Sequence, residues 1–313
     1  LYDVTYCGRK LHKFYKNLLR MVPMKRFLNL IKRNRYVSIL CILTLIISTS
    51  VVWFTRGDAI FVNSSQEGIP LPIIMYHSVL KSPKTKTKYI VTPAQLEEDM
   101  IYLQNNGYTT ITMSDLIDYV YLGTPLPEKP VMLTFDDGYY NNYTYVFPLL
   151  KKYQMKAVIS VVGTYCEIFS ESMDLNPNYA HLTWDNIKEM SESGLVEFQN
   201  HSYNMHSTEK RKGCCIMAGE DYVTYKSVLC SDVLKLQTLL AEKCGIVPNT
   251  FTYPYGAICD ESEQILKELG FVATLSCYER MNYITQSEDC LFSLNRFNRD
   301  SSLTTYRFME KIR

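Results

Sequence analysis

At 313 residues and 47% hydrophobic content, the chain has room for one sizeable domain with a real core, plus extra segments. The net charge of +1 hides an asymmetry, because residues 1–35 hold ten Lys/Arg and only Asp3, which leaves 23 basic against 31 acidic residues beyond them. The body of the chain is therefore acidic, and nothing in it suggests nucleic-acid binding.

The basic tail, residues 1–35, runs into an uncharged apolar segment, residues 36–54, close to the ~20 residues that cross a bilayer as a helix. With the cations ahead of it, the positive-inside rule places the N-terminus in the cytoplasm and the rest of the chain outside. A cleaved signal peptide is the rival reading, but the apolar run is long for one and no small-x-small site follows it. Residues 55–68 read as a polar linker. Beyond it, strand-like and helix-like segments alternate. Leu71 to Met75 reads as a strand. Thr92 caps a helix with Pro93 at its first position and Gln95 at its third, and Gly107 ends it. Tyr108 to Ile111 is strand-like, and Ser114 is expected to cap a helix that stops at Gly123. Val131 to Phe135 is a short buried strand, followed by a helix around Val146 to Tyr153 and a β-branched strand from Ala157 to Val162. Thr183 caps the next helix, which ends at Gly194, and a strand-like run covers Leu195 to Gln199. A longer helix reaches from about Glu220 to Gly245. Phe251 to Tyr253, a helix closed by Gly270, and Phe271 to Leu275 complete the pattern. Regular βα alternation argues for an α/β fold with a parallel sheet. Periodicity alone does not choose between a closed barrel and an open doubly wound sheet.

The chemistry concentrates at two places. The Val131 strand ends in Asp136-Asp137-Gly138, two like charges side by side, a costly placement unless a metal ion or a shared proton compensates. Asp-Asp-Gly is also ordinary turn chemistry. The second place is Asn200-His201-Ser202-Tyr203-Asn204-Met205-His206, which follows another strand-like run. A carboxylate and two imidazoles from neighbouring strand ends make a His/His/Asp metal set. The five-residue step from His201 to His206 does not put both rings on one helix face, so they are expected on a loop.

These two boxes, Thr134-Phe135-Asp136-Asp137-Gly138 and Asn200 to His206, resemble those of the polysaccharide deacetylases, metal-dependent carbohydrate esterases with a NodB-type domain. The resemblance covers roughly residues 69–310 and implies a distorted (β/α)7 barrel. It gives Asp137, His201 and His206 the role of ligands to a divalent metal, zinc by preference. Three protein ligands leave a position open, as catalytic zinc requires. It makes Asp136 the general base and matches Thr252-Tyr253-Pro254-Tyr255-Gly256 to the family's third box, where the backbone N–H of Tyr255 helps hold the oxyanion. Two departures matter. Many members carry an arginine two residues before that proline to orient the base, and this chain has Thr252 there. Arg296 and Arg299 are the candidates to replace it, with a surface salt bridge as the alternative reading of each. The usual C-terminal histidine box is also missing, since His206 is the last histidine in the sequence. In a closed barrel the first and last strands are neighbours, so His77, in Ile74-Met75-Tyr76-His77, is the candidate general acid. Local packing of His77 at the strand end is the competing view. The Met-Tyr-His box and the long gap between the two histidines resemble the poly-N-acetylglucosamine subgroup.

The expected organisation is a basic cytoplasmic tail (1–35), a membrane anchor (36–54), a linker (55–68) and an extracytoplasmic catalytic domain (69–313). The resemblance implies N-deacetylation of an envelope or secreted N-acetylhexosamine polysaccharide. Alternatives are O-deacetylation by the same machinery, or a non-catalytic glycan-binding protein on the same scaffold. The expected partners are the acetylated polysaccharide and the membrane, with no nucleic acid. Of ten cysteines, eight fall in the expected exterior portion, where disulfides are permitted. Asn63 and Asn142 each fit the glycosylation sequon, a weak signal.

Overall fold

The computed structural model describes residues 68–83 and 87–313. The basic tail, the expected anchor, Asn63 and all of the linker but Gly68 lie outside the described residues. Among the described residues no helix is long and apolar enough to cross a membrane.

Twelve strands are described: β1 (Ile69–Leu71), β2 (Ile73–Tyr76), β3 (Ser78–Val79), β4 (Ile90–Val91), β5 (Thr109–Thr110), β6 (Pro130–Phe135), β7 (Ala157–Val161), β8 (Val196–Asn200), β9 (Thr250–Thr252), β10 (Ala273–Leu275), β11 (Asn282–Ile284) and β12 (Phe297–Asn298). The main sheet runs β10-β9-β8-β7-β6-β2-β12 with every pair parallel, while β5 joins the start of β6. A separate antiparallel pair joins β1 to β11. Helices cover the connections, as parallel crossovers require.

The sheet curls so far that its edges share one segment. Leu294 donates its N–H to the Thr274 carbonyl at 2.9 Å, and its own carbonyl accepts from Ser276 N at 2.8 Å. Three residues on, Phe297 pairs with Ile74, and Arg299 N donates to the Met75 carbonyl at 2.9 Å. Residues 294–299 are thus bonded first to β10 and then to β2. This curled parallel sheet is consistent with the NodB-type barrel, and it removes the open-sheet alternative that periodicity had left standing.

Strand alternation sorts the side chains into two populations. Ile74, Leu133, Phe135, Ile159, Val161 and Phe198 face outward into a core shared with the surrounding helices. Ile73, Met132, Val158, Leu275 and Leu294 pack together with Met113, Leu116 and Val120 of the helix Met113–Leu122. Registers Ile73↔Met132, Met75↔Thr134, Thr134↔Val158 and Ser160↔Gln199 carry that inner row along to the strand ends, where it becomes polar. Thr134, Ser160 and Thr252 are buried there, and Ser160 Oγ lies 2.6 Å from Thr252 Oγ1.

Local signals account for most helix starts. Thr92 and Gln95 form the anticipated capping box around Pro93–Asn105, and Thr183 and Asn186 do the same for Trp184–Glu192. The cap at Ser114 needs correction. Thr112 is the N-cap of Met113–Leu122, its side chain accepting from Asp115 N while Asp115 accepts back from Thr112 N. Ser114 sits in the first turn, and its N–H donates to Glu197 instead. A helix at Gly163–Ser172 had no sequence signal, because its N-cap is Val162, with no side-chain cap bond. Asn142 is fully buried, and its Nδ2 donates to the His77 carbonyl at 3.1 Å, so the sequon there is not a glycan site in the folded chain. All eight described cysteines are free thiols.

Candidate active site

The inner row ends in the candidate residues. Register Tyr76↔Phe135 puts the next residues of β2 and β6, His77 and Asp136, side by side, with His77 Nε2 4.0 Å from Asp136 Oδ2. Two consecutive residues of an extended strand would point to opposite faces. The strand stops at Phe135, and Asp137 adopts φ 69°, a left-handed conformation that brings both carboxylates to the same cleft. Gly138 follows at φ 66°, and a Cβ there would meet Val161 Cγ1 at 2.8 Å, so this turn requires glycine on both counts.

His201 follows β8 directly and is buried. Its Nδ1 lies 2.7 Å from the Thr252 carbonyl, which can only accept, so Nδ1 carries the proton and Nε2 presents its lone pair. That lone pair faces Asp137 Oδ1 at 3.5 Å, and His206 Nε2 approaches the same oxygen at 3.1 Å. Asp137 Oδ1 is buried without a hydrogen-bond partner. Candidate ligand atoms of Asp137, His201 and His206 all lie within 4.8 Å of one another. Three electron-pair donors converging on one point repel unless a cation sits among them, so the donor set fits a divalent metal. The electrostatics carry the same demand. Burial pushes the His201 ring down, but Asp137 and Asp136 outweigh it and draw the ring above its usual range. Burial pushes the Asp137 carboxyl up, yet His201 and His206 hold it well below the carboxylate norm.

The loop between the two histidines is fixed from outside. Asp232, on the helix Tyr222–Cys244, accepts from Tyr203 N at 2.7 Å and Asn204 N at 2.8 Å. Sequence reading missed this residue, whose only signal was a carboxylate facing inward on a mostly apolar helix face. Tyr255, at φ 59° in the Pro254–Gly256 turn, is 45% exposed at the mouth of the cleft. Its ring packs on His206, and its hydroxyl lies 3.2 Å from His206 Nδ1. His206 therefore has both ring nitrogens engaged, one toward Asp137 and one toward Tyr255.

Of the two arginines, the structure brings only Arg296 to the site. Its fork meets Asp136 squarely, Nη1 to Oδ1 at 2.7 Å and Nη2 to Oδ2 at 2.8 Å, while Nε donates to the Ser276 carbonyl at 2.6 Å. Arg299 forms an equivalent buried pair with Asp99, to which Tyr76 also donates. Burial pushes the Asp136 carboxyl up, but the Arg296 charge and then His201 hold it below its ordinary value. Burial lowers His77 against the pull of Asp136 and Asp137. His77, Asp136, Asp137, His201, His206 and Tyr255 line one cavity of about 680 Å³, together with Tyr89, Tyr139, Glu279 and Asn298. That volume suits a sugar-sized ligand.

Comparison with known proteins agrees with this geometry. A family model described as polysaccharide deacetylase matches residues 123–274. The chain is 29% identical over 217 residues to poly-beta-1,6-N-acetyl-D-glucosamine N-deacetylase of Escherichia coli K12, covering 63% of this chain and 32% of that one. It is 26% identical over 200 residues to the protein of the same name from Staphylococcus aureus strain MRSA252, covering 64% of this chain and 65% of that one. The chain thus spans about a third of the first relative's length and just under two thirds of the second's. In structure it is similar to the Streptococcus pyogenes deacetylase PplD, with a TM-score of 0.65 at 23% identity over 79% of this chain and 99% of that one, a likeness of fold. The matched stretch takes in the Asp136–Asp137 turn, both loop histidines and Tyr255, so over residues 123–274 the chain is similar to the polysaccharide deacetylases and their NodB-type domain.

Proposed function

We propose that the chain removes N-acetyl groups from an N-acetylhexosamine polysaccharide, using a divalent metal held by Asp137, His201 and His206. One observation carries the reading: Asp136 stands beside that ligand set with Arg296 gripping both its oxygens and His77 4.0 Å from one of them, at the floor of one cleft. The names of the Escherichia coli and Staphylococcus aureus relatives support the same substrate class.

When bound, the metal, zinc by this donor set, supplies Lewis acidity that acidifies water and polarises the acetyl carbonyl. Asp136 takes the proton of the attacking water. The Arg296 fork prevents the carboxylate from rotating and keeps it ionised, so it is always ready to accept. The leaving nitrogen needs a proton, because an amide anion is too basic to depart alone. His77 supplies it from the side of the cleft facing Asp136. Burial lowers His77, while the neighbouring Asp136 and Asp137 carboxylates favour its charged form. In this reading the backbone N–H of Tyr255, a residue lining the cleft, is the oxyanion donor, a contribution of ~3 kcal/mol in the transition state. The non-catalytic glycan-binding reading drew its support from the arginine missing at Thr252, and Arg296, just ahead of β12, offers that support to Asp136 from elsewhere in the chain.

The test is acetate release by the purified chain with zinc from N-acetylated and O-acetylated polysaccharides. Release from the N-acetylated polymer at the higher rate supports the proposal. The reverse ranking makes the chain an O-acetyl esterase, and no release with metal bound leaves a glycan-binding protein. In the same reading residues 36–54 anchor the chain with its N-terminus in the cytoplasm. Protease added to intact cells then removes the catalytic domain, and protection of that domain would overturn the orientation.

A further inference from the structure

His181 lies outside both sequence boxes, yet it touches the backbone of a proposed ligand. Its Nδ1 is 2.9 Å from the carbonyl oxygen of Asp137, which can only accept, so Nδ1 is the donor. The two segments are zipped together on either side of that contact. Tyr140 N donates to the Ala180 carbonyl at 2.8 Å, Leu182 N donates to the Gly138 carbonyl at 2.8 Å, and Tyr139 bridges His181. The ring is 7% exposed and wedged among three aromatics, with centroids 4.6 Å from Tyr139, 4.3 Å from Tyr165 and 5.6 Å from Phe169. Such a ring has no freedom to turn away from the carbonyl.

The carbonyl it holds belongs to the residue with the left-handed backbone. Asp137 at φ 69° costs conformational energy for a side chain other than glycine, and such a conformation persists only where its surroundings over-determine it. A relaxed backbone at Asp137 would swing the carboxylate off the point where His201 and His206 meet.

We propose that His181 is a positioning residue for the metal centre: its Nδ1–H fixes the Asp137 carbonyl and thereby the turn that aims the Asp137 carboxylate at His201 and His206. The inference rests on the metal-site reading above. Interactions one shell out from a ligand typically change metal affinity 10–100-fold when removed.

The bland alternative, that His181 merely fills the aromatic slot, is separated by two substitutions. His181→Phe keeps the ring and loses the donor, whereas His181→Asn keeps a donor at the Nδ1 position and loses the ring. Zinc affinity is measured by competition with a chromophoric chelator, alongside the melting temperature of the metal-free protein. The expected result is a His181→Phe protein that melts near the parent but binds zinc on the order of 10–100-fold more weakly, with His181→Asn recovering most of the affinity. Parent-like zinc binding in His181→Phe overturns the proposal. If His181→Phe does not fold, His181→Asn is compared with His181→Ala: tighter binding by Asn supports the role, and equal binding overturns it. A parent protein that binds no divalent metal is a different failure, that of the metal-site reading itself, and the positioning role falls with it.

Discussion

Arg296 holds Asp136 from 160 residues away along the chain, through two parallel hydrogen bonds of 2.7 and 2.8 Å in a fully buried setting. Removing one partner of such a pair leaves an uncompensated buried charge, at a cost of about 3–5 kcal/mol. Arg296→Met should therefore lower the melting temperature strongly, while Arg296→Met combined with Asp136→Leu recovers much of the loss. Arg296→Lys keeps the charge but not the fork, so its deficit should fall on turnover more than on folding. Thermal melts and acetate release on the three variants check this. A single Met variant as stable as the parent would count against the pair.

The ligand set predicts one bound divalent ion per chain. His201→Ala or His206→Ala should abolish it, read by metal analysis after dialysis. Affinity should also fall as pH drops, because the imidazoles must be unprotonated to bind. Full occupancy in both alanine variants would mean that other residues hold the metal.

The neighbours Asp136 and Asp137 separate cleanly. Asp136→Asn should keep the metal and lose at least 100-fold in rate, on the order expected for a general base. Asp137→Asn should lose metal and rate together. Metal loss in the first variant with retention in the second would reverse the two roles.

For His77, the leaving group is the probe. His77→Ala should fold, bind metal and lose roughly 10²–10⁴-fold on N-acetyl substrates. On activated aryl acetates, whose leaving groups need no proton, the loss should be smaller. Equal losses on both substrate types would remove His77 from the acid role.

Away from the site, Thr112 and Asp115 cap the helix Met113–Leu122, and Lys156 pairs with Asp115 at 2.9 Å. Thr112→Ala should cost about 1 kcal/mol. Burial pushes the Asp115 carboxyl up, but the Thr112 N–H and Lys156 outweigh it and hold it below its usual value. A depressed folded value means that this stability is present above the unfolded carboxylate range and is lost as pH falls through the folded value. Asp115→Asn should thus flatten the acid limb of the stability curve in denaturant melts. An unchanged acid limb would show that Asp115 is not a contributor.

What could be read in advance was whatever lies contiguous in the chain. Asp136 and Asp137 sit together at a strand end, and His201 and His206 share one loop, so residue type and spacing named them. Tyr255 followed from a short box as well. Arg296 shared its candidacy with Arg299 because it lies just ahead of the two-residue strand β12, where no local pattern shows which way a side chain points. Asp232 and His181 act through backbone groups of other segments, and a side chain that recognises a peptide group leaves no trace in spacing. The cap at Thr112 was displaced by two residues because Thr and Ser are both good caps there, and the reciprocal Asp115 decides between them.

Residues 294–299 tie the proposed base to contacts of long sequence separation. Their contacts with Asp136 and Asp99 span 160 and 200 residues, so the entropy of bringing the chain ends together must be overcome before either ion pair can form. The Asp137, His201 and His206 cluster, by contrast, closes within 70 residues of chain and does not need the C-terminal strand. A nascent or truncated chain ending before Leu294 would then assemble its metal ligands while its base stayed unanchored.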